Sequence, residues 1–300
     1  MSGPGRAIMI DGVLREPADA TVSVYDRGFL YGDAVFEVLR TYGGKPFALD
    51  EHLARLRRSA ERVHIALPVD ESTLRDEIAA AIEAGGNDES YVRVVVTRGT
   101  GPLSLDPDTA TQPLRVVLVD RVVPPPKDVY ARGIALVTAH ARRPTDDTAA
   151  SGAKVTNYLA NLLALREAKL RGAQEALLVD AREHVVEGAS SNVFIVEHGR
   201  LATPPESAGI LAGITRAHIL AAARDLRIPV EEREVSLHRL YRADEVFITS
   251  SIREVLPVVL VDGRTIGAGV PGPVSRALHR RFRDAAGMAG RPMPYDGPGG

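Results

Sequence analysis

Apolar and polar positions alternate at the start of the chain. Ala7 to Leu14 reads as a β-hairpin folded about Asp11-Gly12, a dipeptide suited to a tight primed turn. Val22 to Tyr25 predicts a short strand, and the polar stretch Asp26 to Asp33 a Gly-containing loop. Ala34 to Tyr42 and Lys45 to Leu49 flank Gly43-Gly44, a second hairpin signal. From Asp50 the period becomes helical, with Leu49, Leu53, Leu56, Ala60 and Val63 on one face. Ser72 to Ala84 predicts a second helix, capped by Ser72 and ended by Gly85-Gly86. Tyr91 to Thr97 is a β-branched strand with Arg93 inside it. A charge there faces solvent or a site, because burying it unpaired is costly. Leu114 to Val119 predicts another strand. Val122-Val123-Pro124-Pro125-Pro126 cannot continue a ladder and is stiff, which places an interdomain linker at 122–132.

Beyond the linker, strands and helices mix. Ile134 to Thr138 predicts a strand, and Asn157 to Arg171 a helix ended by Gly172. Glu175 to Asp180 and Val185 to Val196 predict strands. Gly209 to Gly213 leads into a helix from Thr215 to Leu226. Strands at Glu245 to Thr249 and Val255 to Val261 flank a turn with Ser250, Ser251 and Arg253, followed by a short hairpin at Asp262-Gly263. A final helix runs from Pro273 to Ala286, and the Gly- and Pro-rich tail at 287–300 is expected to be disordered. The domains so read are 1–121 and 133–286, in an α+β chain.

Composition narrows the function classes. A length of 300 residues suggests about two domains. The 45% hydrophobic and 25% charged fractions are ordinary for a soluble globular protein, and a cytoplasmic location is the default expectation. A net charge of −2 leaves no basic footprint, so no nucleic-acid partner is expected. The absence of cysteine excludes disulfides, thiolate catalysis and zinc-thiolate sites. No apolar run approaches the roughly 20 residues that span a bilayer, and Met1 to Arg6 lacks the apolar core of a signal peptide. The histidines are scattered and no metal site is expected. Gly267 to Gly272 fits the dinucleotide pattern but follows a hairpin and lacks a βαβ unit. Ser190 and Ser191 lack a Gly-x-Ser-x-Gly frame.

Candidate chemistry centres on Lys154, just before a helix, and Glu187, at the end of an apolar segment. Lysine amines form imines with carbonyl cofactors, of which pyridoxal phosphate is the commonest, and its ring nitrogen needs an acidic partner. On local chemistry alone, most lysines before helices are solvated. Several motifs occur together, however: Asp26-Arg27-Gly28 with Tyr31-Gly32-Asp33, Glu51-His52-x-x-Arg55-Leu56, Lys154-x-x-Asn157, Glu187-Gly188-x-Ser190-Ser191-Asn192, Gly213-Ile214-Thr215-Arg216 and Thr249-Ser250-Ser251. In this order they resemble the fold-type IV pyridoxal-phosphate enzymes over residues 7–285. That family includes branched-chain and D-amino-acid aminotransferases and aminodeoxychorismate lyase.

The resemblance implies a smaller N-terminal α/β sandwich domain, a larger C-terminal β-barrel-like domain with helices, and a homodimer in which the loop Asp26 to Asp33 lies near the neighbour's site. It implies that Lys154 bears the cofactor and Glu187 holds its ring nitrogen. Tyr158 resembles the tyrosine on the cofactor's phenolic oxygen, although longer members have one more residue between the lysine and the Asn-Tyr pair. Arg55, Ile214, Thr215, Ser250 and Ser251 are implied for the phosphate. Periodicity cannot choose between Arg55 and Arg57; the motif picks Arg55. Thr215 on its own reads as a simple N-cap.

For substrate, Tyr91-x-Arg93 and Val35-Phe36-Glu37 resemble the branched-chain enzymes, with Tyr31 and Phe36 in the pocket. An L-branched-chain amino acid and a 2-oxo acid, exchanged in a ping-pong cycle, are the expected substrates. The Arg-x-His carboxylate trap of familiar D-specific enzymes is replaced by Leu103-Ser104-Leu105, yet Val96-Thr97-Arg98-Gly99-Thr100 and the short Lys-to-Asn spacing resemble that group. Arg27, Arg93 and Arg253 could form a different clamp for a D-amino acid, since three convergent arginines are costly without a carboxylate. Phe36-Glu37-Val38 lacks the lyase's threonine, and an (R)-amine transaminase is the remaining family alternative. A cofactor-binding protein without turnover and an unrelated two-domain binding module are the readings from other classes.

Overall fold

Period-two alternation in the N-terminal strands builds a six-stranded sheet. The computed structural model describes residues 5–140, 148 and 150–296. In the first of two compact units, β1 (Ala7–Ile10), β2 (Val13–Arg15), β3 (Ala34–Tyr42), β4 (Lys45–Pro46), β5 (Ser90–Thr97) and β6 (Arg115–Arg121) pair antiparallel in the order β2-β1-β6-β5-β3-β4. The unit's helices are α1 (Arg27–Tyr31), α2 (Leu49–Arg62) and α3 (Glu71–Gly85). Val35, Leu39, Val92, Val94 and Val96 join Leu53, Leu56, Leu74 and Ile78 of α2 and α3 in one core. The register Phe36↔Val95, Val38↔Arg93 and Arg40↔Tyr91 puts those six residues on the other face.

Local chemistry explains where the elements depart from the pattern. The expected loop after Asp26 winds into α1, because the Asp26 carboxylate accepts N–H bonds from Gly28 and Phe29 at 2.8 and 3.4 Å. Val22 to Tyr25 forms no strand, and its apolar side chains lie exposed. The second arm of the Gly43-Gly44 hairpin is only two residues long, since α2 starts at Leu49. Asp70, two positions before Ser72, caps α3 by accepting the Thr73 N–H at 2.8 Å; a carboxylate there also suits the helix dipole.

The segment around Lys154 joins the same sheet. Phe36 N–H donates to the Lys154 carbonyl at 3.0 Å, and Thr156 N–H to the Ala34 carbonyl at 2.9 Å. Thr148–Tyr158 therefore clusters with the first unit, whereas a contiguous boundary at 133 assigns it to the second. Residues 141–147 and 149 of that stretch lie outside the described residues.

The second unit takes Pro124 onward and the chain after Leu159. Half of the expected linker is a helix, α4 (Lys127–Arg132), whose Tyr130 is buried. The unit's strands are β7 (Ile134–Ala139), β8 (Glu175–Val179), β9 (Val185–Gly188), β10 (Asn192–Glu197), β11 (Arg200–Thr203), β12 (Val230–Glu232), β13 (Glu245–Ser250), β14 (Glu254–Val261) and β15 (Arg264–Thr265). They form one sheet in the order β12-β11-β10-β13-β14-β7-β8-β9, with β15 on β14. Bridges His184↔Ser236 and Gly188↔Ser191 bring the β9 edge back toward the opposite side, so the sheet curls in barrel-like fashion. Leu136, Leu177, Val193, Ile195, Val246, Ile248 and Leu256 fill its core.

The expected single strand Val185 to Val196 is broken at Ala189–Ser191, where Gly188 N–H donates to the Ser191 carbonyl at 2.7 Å. The remaining helices are α5 (Leu159–Leu170), α6 (Ile214–Asp225), α7 (Leu237–Leu240) and α8 (Pro273–Arg283). α5 packs through Ala164 and Ala168, leaving Leu159, Leu162, Leu163 and Leu170 exposed. The tail is seated as far as Asp296: Met293 is 2% exposed and Tyr295 packs on the core. Residues 297–300 lie outside the described residues.

Candidate active site

In the first unit, the strand-like backbone at 154–156 decides where the lysine points. Alternation sends Val155 toward the core with Val35 and Lys154 toward Phe36. The Lys154 N–H donates to the Ser59 hydroxyl of α2 at 3.0 Å, fixing the segment from behind. Lys154 Nζ lies 4.5 Å from the Phe36 ring centroid and 3.5 Å from the Tyr158 hydroxyl, the long limit of a hydrogen bond. Tyr158 meets Phe36 edge-on at 5.3 Å, and the Arg93 guanidinium carbon lies 4.1 Å from the same ring centroid. One aromatic ring thus organises an amine, a phenol and a guanidinium, with half-buried Tyr91 on the same sheet face.

Glu37 faces the other way, into α2. The Arg55 fork grips it through Nε at 2.7 Å and Nη2 at 2.8 Å, and His52 Nδ1 approaches it at 2.7 Å. Burial alone would raise the Glu37 carboxyl; Arg55 and His52 overcome it and bring it down to about 2. Burial pushes His52 below its usual value despite Glu37. An ionised carboxylate only accepts, so neutral His52 carries its proton on Nδ1. Arg55 is buried against Glu37 and Arg57 is exposed, a difference that periodicity could not supply.

Arg27 is committed elsewhere. Its Nε donates to Asp33 at 3.0 Å, and its terminal nitrogens to the carbonyls of Ser104, Leu105 and Asp106 at 2.7, 3.3 and 3.4 Å. Burial favours the neutral Asp33 acid, but Arg98 and Arg27 win and lower it. Tyr31 lies under the Arg27 guanidinium at 5.0 Å.

In the second unit, Glu187 is buried and its Oε2 accepts the Leu211 N–H at 3.0 Å. Asn192 Nδ2 lies 3.5 Å from that oxygen and donates to the Leu211 carbonyl at 2.9 Å. α6 begins at Ile214 with Gly213, not Thr215, at the N-cap, and no side chain caps it. The first-turn amides of Ile214 and Thr215 are therefore open to an anion. The buried hydroxyls of Thr249 and Ser191 have no hydrogen-bond partner among the described residues. An uncapped helix start, spare buried hydroxyls beside Ser250 and an ionisable Glu187 fit a ligand with a phosphate at one end and a basic ring nitrogen at the other.

Arg253 also departs from the expectation of a substrate clamp. Its guanidinium pairs with buried Glu175 at 2.6 Å and with Ser190 at 2.9 Å. Arg93 alone of the three clamp candidates has no ion-pair partner among the described residues. Sequence reasoning misses Glu37, His52, Ser59 and Glu175 as members of these networks. Glu37 carries a signal: it occupies a core-facing position between Val35 and Leu39, where a charge requires a partner. Among the described residues no group of His, Cys, Asp and Glu could hold a metal ion.

The family model for amino-transferase class IV matches residues 34–261. The chain is 39% identical over 277 residues to a Methanocaldococcus jannaschii protein named "Putative branched-chain-amino-acid aminotransferase", covering 92% of this chain and 95% of the relative. A D-alanine aminotransferase of Bacillus licheniformis is 34% identical, with 93% and 96% covered. Among solved structures, a branched-chain amino acid aminotransferase with pyridoxamine 5'-phosphate, its source abbreviated T.th., matches with a TM-score of 0.89 at 32% identity over 96% of each chain. The Escherichia coli branched-chain enzyme matches at 0.88 and 30% over 93% of each.

Proposed function

This chain belongs to the class IV aminotransferases, and from that premise we infer that it moves an amino group between a branched-chain L-amino acid and a 2-oxo acid in a ping-pong cycle. It depends on pyridoxal 5'-phosphate, which when bound supplies an electron sink for charge left at the amino acid's α-carbon. Lys154 Nζ would hold the cofactor and, as a free amine, would move the proton at the substrate α-carbon. The Tyr158 hydroxyl, 3.5 Å away, orients that amine. Glu187 keeps the ring nitrogen protonated. Arg55, the Ile214 amide, Thr215, Ser250 and Ser251 hold the phosphate, where the α6 dipole favours negative charge. The proposal extends to a cytoplasmic homodimer without nucleic-acid or membrane partners; no helix among the described residues is long and apolar enough to cross a membrane.

The commitment of Arg27 and Arg253 carries the substrate reading. Both are neutralised inside their own units, by Asp33 and Glu175, so a three-arginine clamp for a D-amino acid loses two members. Arg93 remains for one carboxylate, with Tyr31, Tyr91 and apolar Phe36 for an aliphatic side chain. The 34% identity to a D-alanine aminotransferase keeps the D-series as the alternative to be tested.

Two measurements test the proposal. Borohydride should trap the cofactor on Lys154, and an adduct on Lys45, Lys127 or Lys169 would sink the central assignment. Half-reactions with L-leucine, L-glutamate, D-alanine, D-glutamate and (R)-1-phenylethylamine should bleach the bound cofactor's absorbance for the L-amino acids. Bleaching by the D-amino acids alone would replace the substrate reading.

A further inference from the structure

Ser250 and Ser251 sit on a hairpin whose shape is imposed from outside it. β13 and β14 stay paired as far as Ser250↔Glu254, which leaves Ser251, Ile252 and Arg253 as a three-residue loop. The residue that follows the loop, Glu254, is left-handed with φ +55°, a conformation most comfortable for glycine. A side chain with a Cβ stays there only when its surroundings over-determine it.

The surroundings do so at two consecutive residues. The Glu254 carboxylate is buried and accepts from His279 Nε2 at 2.6 Å and Arg283 Nη1 at 3.1 Å, both on α8. Arg253 engages different elements: Nη1 reaches Glu175 of β8 at 2.6 Å, and Nη2 reaches the Ser190 carbonyl and hydroxyl at 2.9 Å, in the β9–β10 loop. Its Nε donates to the Ser250 hydroxyl at 3.1 Å, and the Tyr130 hydroxyl of α4 donates to its carbonyl at 3.0 Å. Glu175 is fully buried and also accepts from the Ser190 hydroxyl at 2.9 Å, so this pair is satisfied within the fold.

We propose that Arg253 and Glu254 form a clasp that positions the Ser250–Ser251 turn for the cofactor's phosphate. Both are positioning residues, and Arg253 does not bind the substrate carboxylate. The inference rests on the reading that Ser250 and Ser251 hold that phosphate. A hydroxyl pair aimed in advance binds an anion without the ordering cost that a mobile loop would incur.

The test compares two ligands that differ only in the phosphate. Apoprotein is titrated with pyridoxal phosphate and with pyridoxal, for wild type, Arg253→Lys and Glu254→Gln, with circular dichroism as the check on folding. Wild type should prefer the phosphorylated ligand. A wild type that binds both alike overturns the phosphate reading, and the clasp with it, before any variant is compared. Each variant should bind pyridoxal phosphate at least tenfold more weakly, keep its pyridoxal affinity within about twofold, and leave the amino-acid KM at saturating cofactor unchanged. Equal losses for both ligands would show a general structural role and overturn the clasp. Unchanged pyridoxal-phosphate affinity with a raised amino-acid KM would make Arg253 a substrate clamp after all. If either variant fails to fold, Glu254→Gly keeps the left-handed backbone without strain and removes the carboxylate; it should show the same phosphate-selective loss, and its absence overturns the proposal.

Discussion

Arg55 and Arg57 lie two positions apart on α2 and meet opposite environments. Arg55 is 5% exposed with its fork on Glu37, whereas Arg57 is exposed and reaches Glu71 at 3.3 Å. Arg55→Ala strands a buried carboxylate, and breaking such a pair costs about 3–5 kcal/mol. Arg57→Ala should cost about 0–1 kcal/mol, as exposed pairs do. Urea denaturation of both variants checks this, and equal losses would mean that the α2 face is misplaced. His52 and Glu37 also predict a pH response. The folded-state values of both lie below their ordinary 6.5 and 4.5, so the unfolded chain binds protons more readily. Their contribution is complete above about pH 6.5 and fades on acidification, first through His52 and then, between about 4.5 and about 2, through Glu37. His52→Asn keeps a donor to Glu37 but cannot titrate. Its stability should fall less steeply between pH 6.5 and 5, by at most about 1.4 kcal/mol per pH unit. Parallel slopes would show that His52 protonates in the folded protein.

At the scale of elements, the start of α6 and the start of β10 depend on each other. Gly213 has an ordinary φ of −69°, so its conformation does not demand glycine. Space does: a Cβ there would lie 1.9 Å from Asn192 Oδ1. Gly213→Ala must displace Asn192, and with it the amide that bonds the Leu211 carbonyl beside Glu187. The expected outcome is a folded protein with at least tenfold weaker cofactor binding, or about 1.4 kcal/mol. Unchanged affinity in a spectroscopic titration would mean that Asn192 moves freely. Similar reasoning explains the elements that the pattern misplaced. Val185 to Val196 reads as one strand, yet the chain breaks at Ala189–Ser191 because the Gly188 N–H turns back to the Ser191 carbonyl. Periodicity along one segment cannot register a bond that reverses it.

For the whole molecule, the proposed cofactor adds stability by binding the folded chain and not the unfolded one. At a free concentration of one hundred times Kd the gain is about 2.7 kcal/mol. The melting temperature should therefore rise with pyridoxal phosphate, and Lys154→Ala should reduce that rise. An unshifted transition in the wild type would deny a cofactor site in this chain.

Alternation and motif order were enough to read an α+β chain and the family to which Lys154 and Glu187 point; the face shared by Phe36 and Arg93 came from the β3–β5 register. The first two are properties of residue type and spacing, which a strand or a helix transmits directly. Only the tertiary structure decided which charges are committed. Arg27, Arg93 and Arg253 look alike along the chain, but Asp33 neutralises the first and Glu175, 78 positions from Arg253, neutralises the last. The assignment of Thr148–Tyr158 to the first unit was settled in the same way, by two hydrogen bonds to β3 across more than a hundred residues. A buried charge is placed by whichever partner the fold brings within about 3 Å, and that partner's distance along the chain leaves no periodic trace for sequence reading to find.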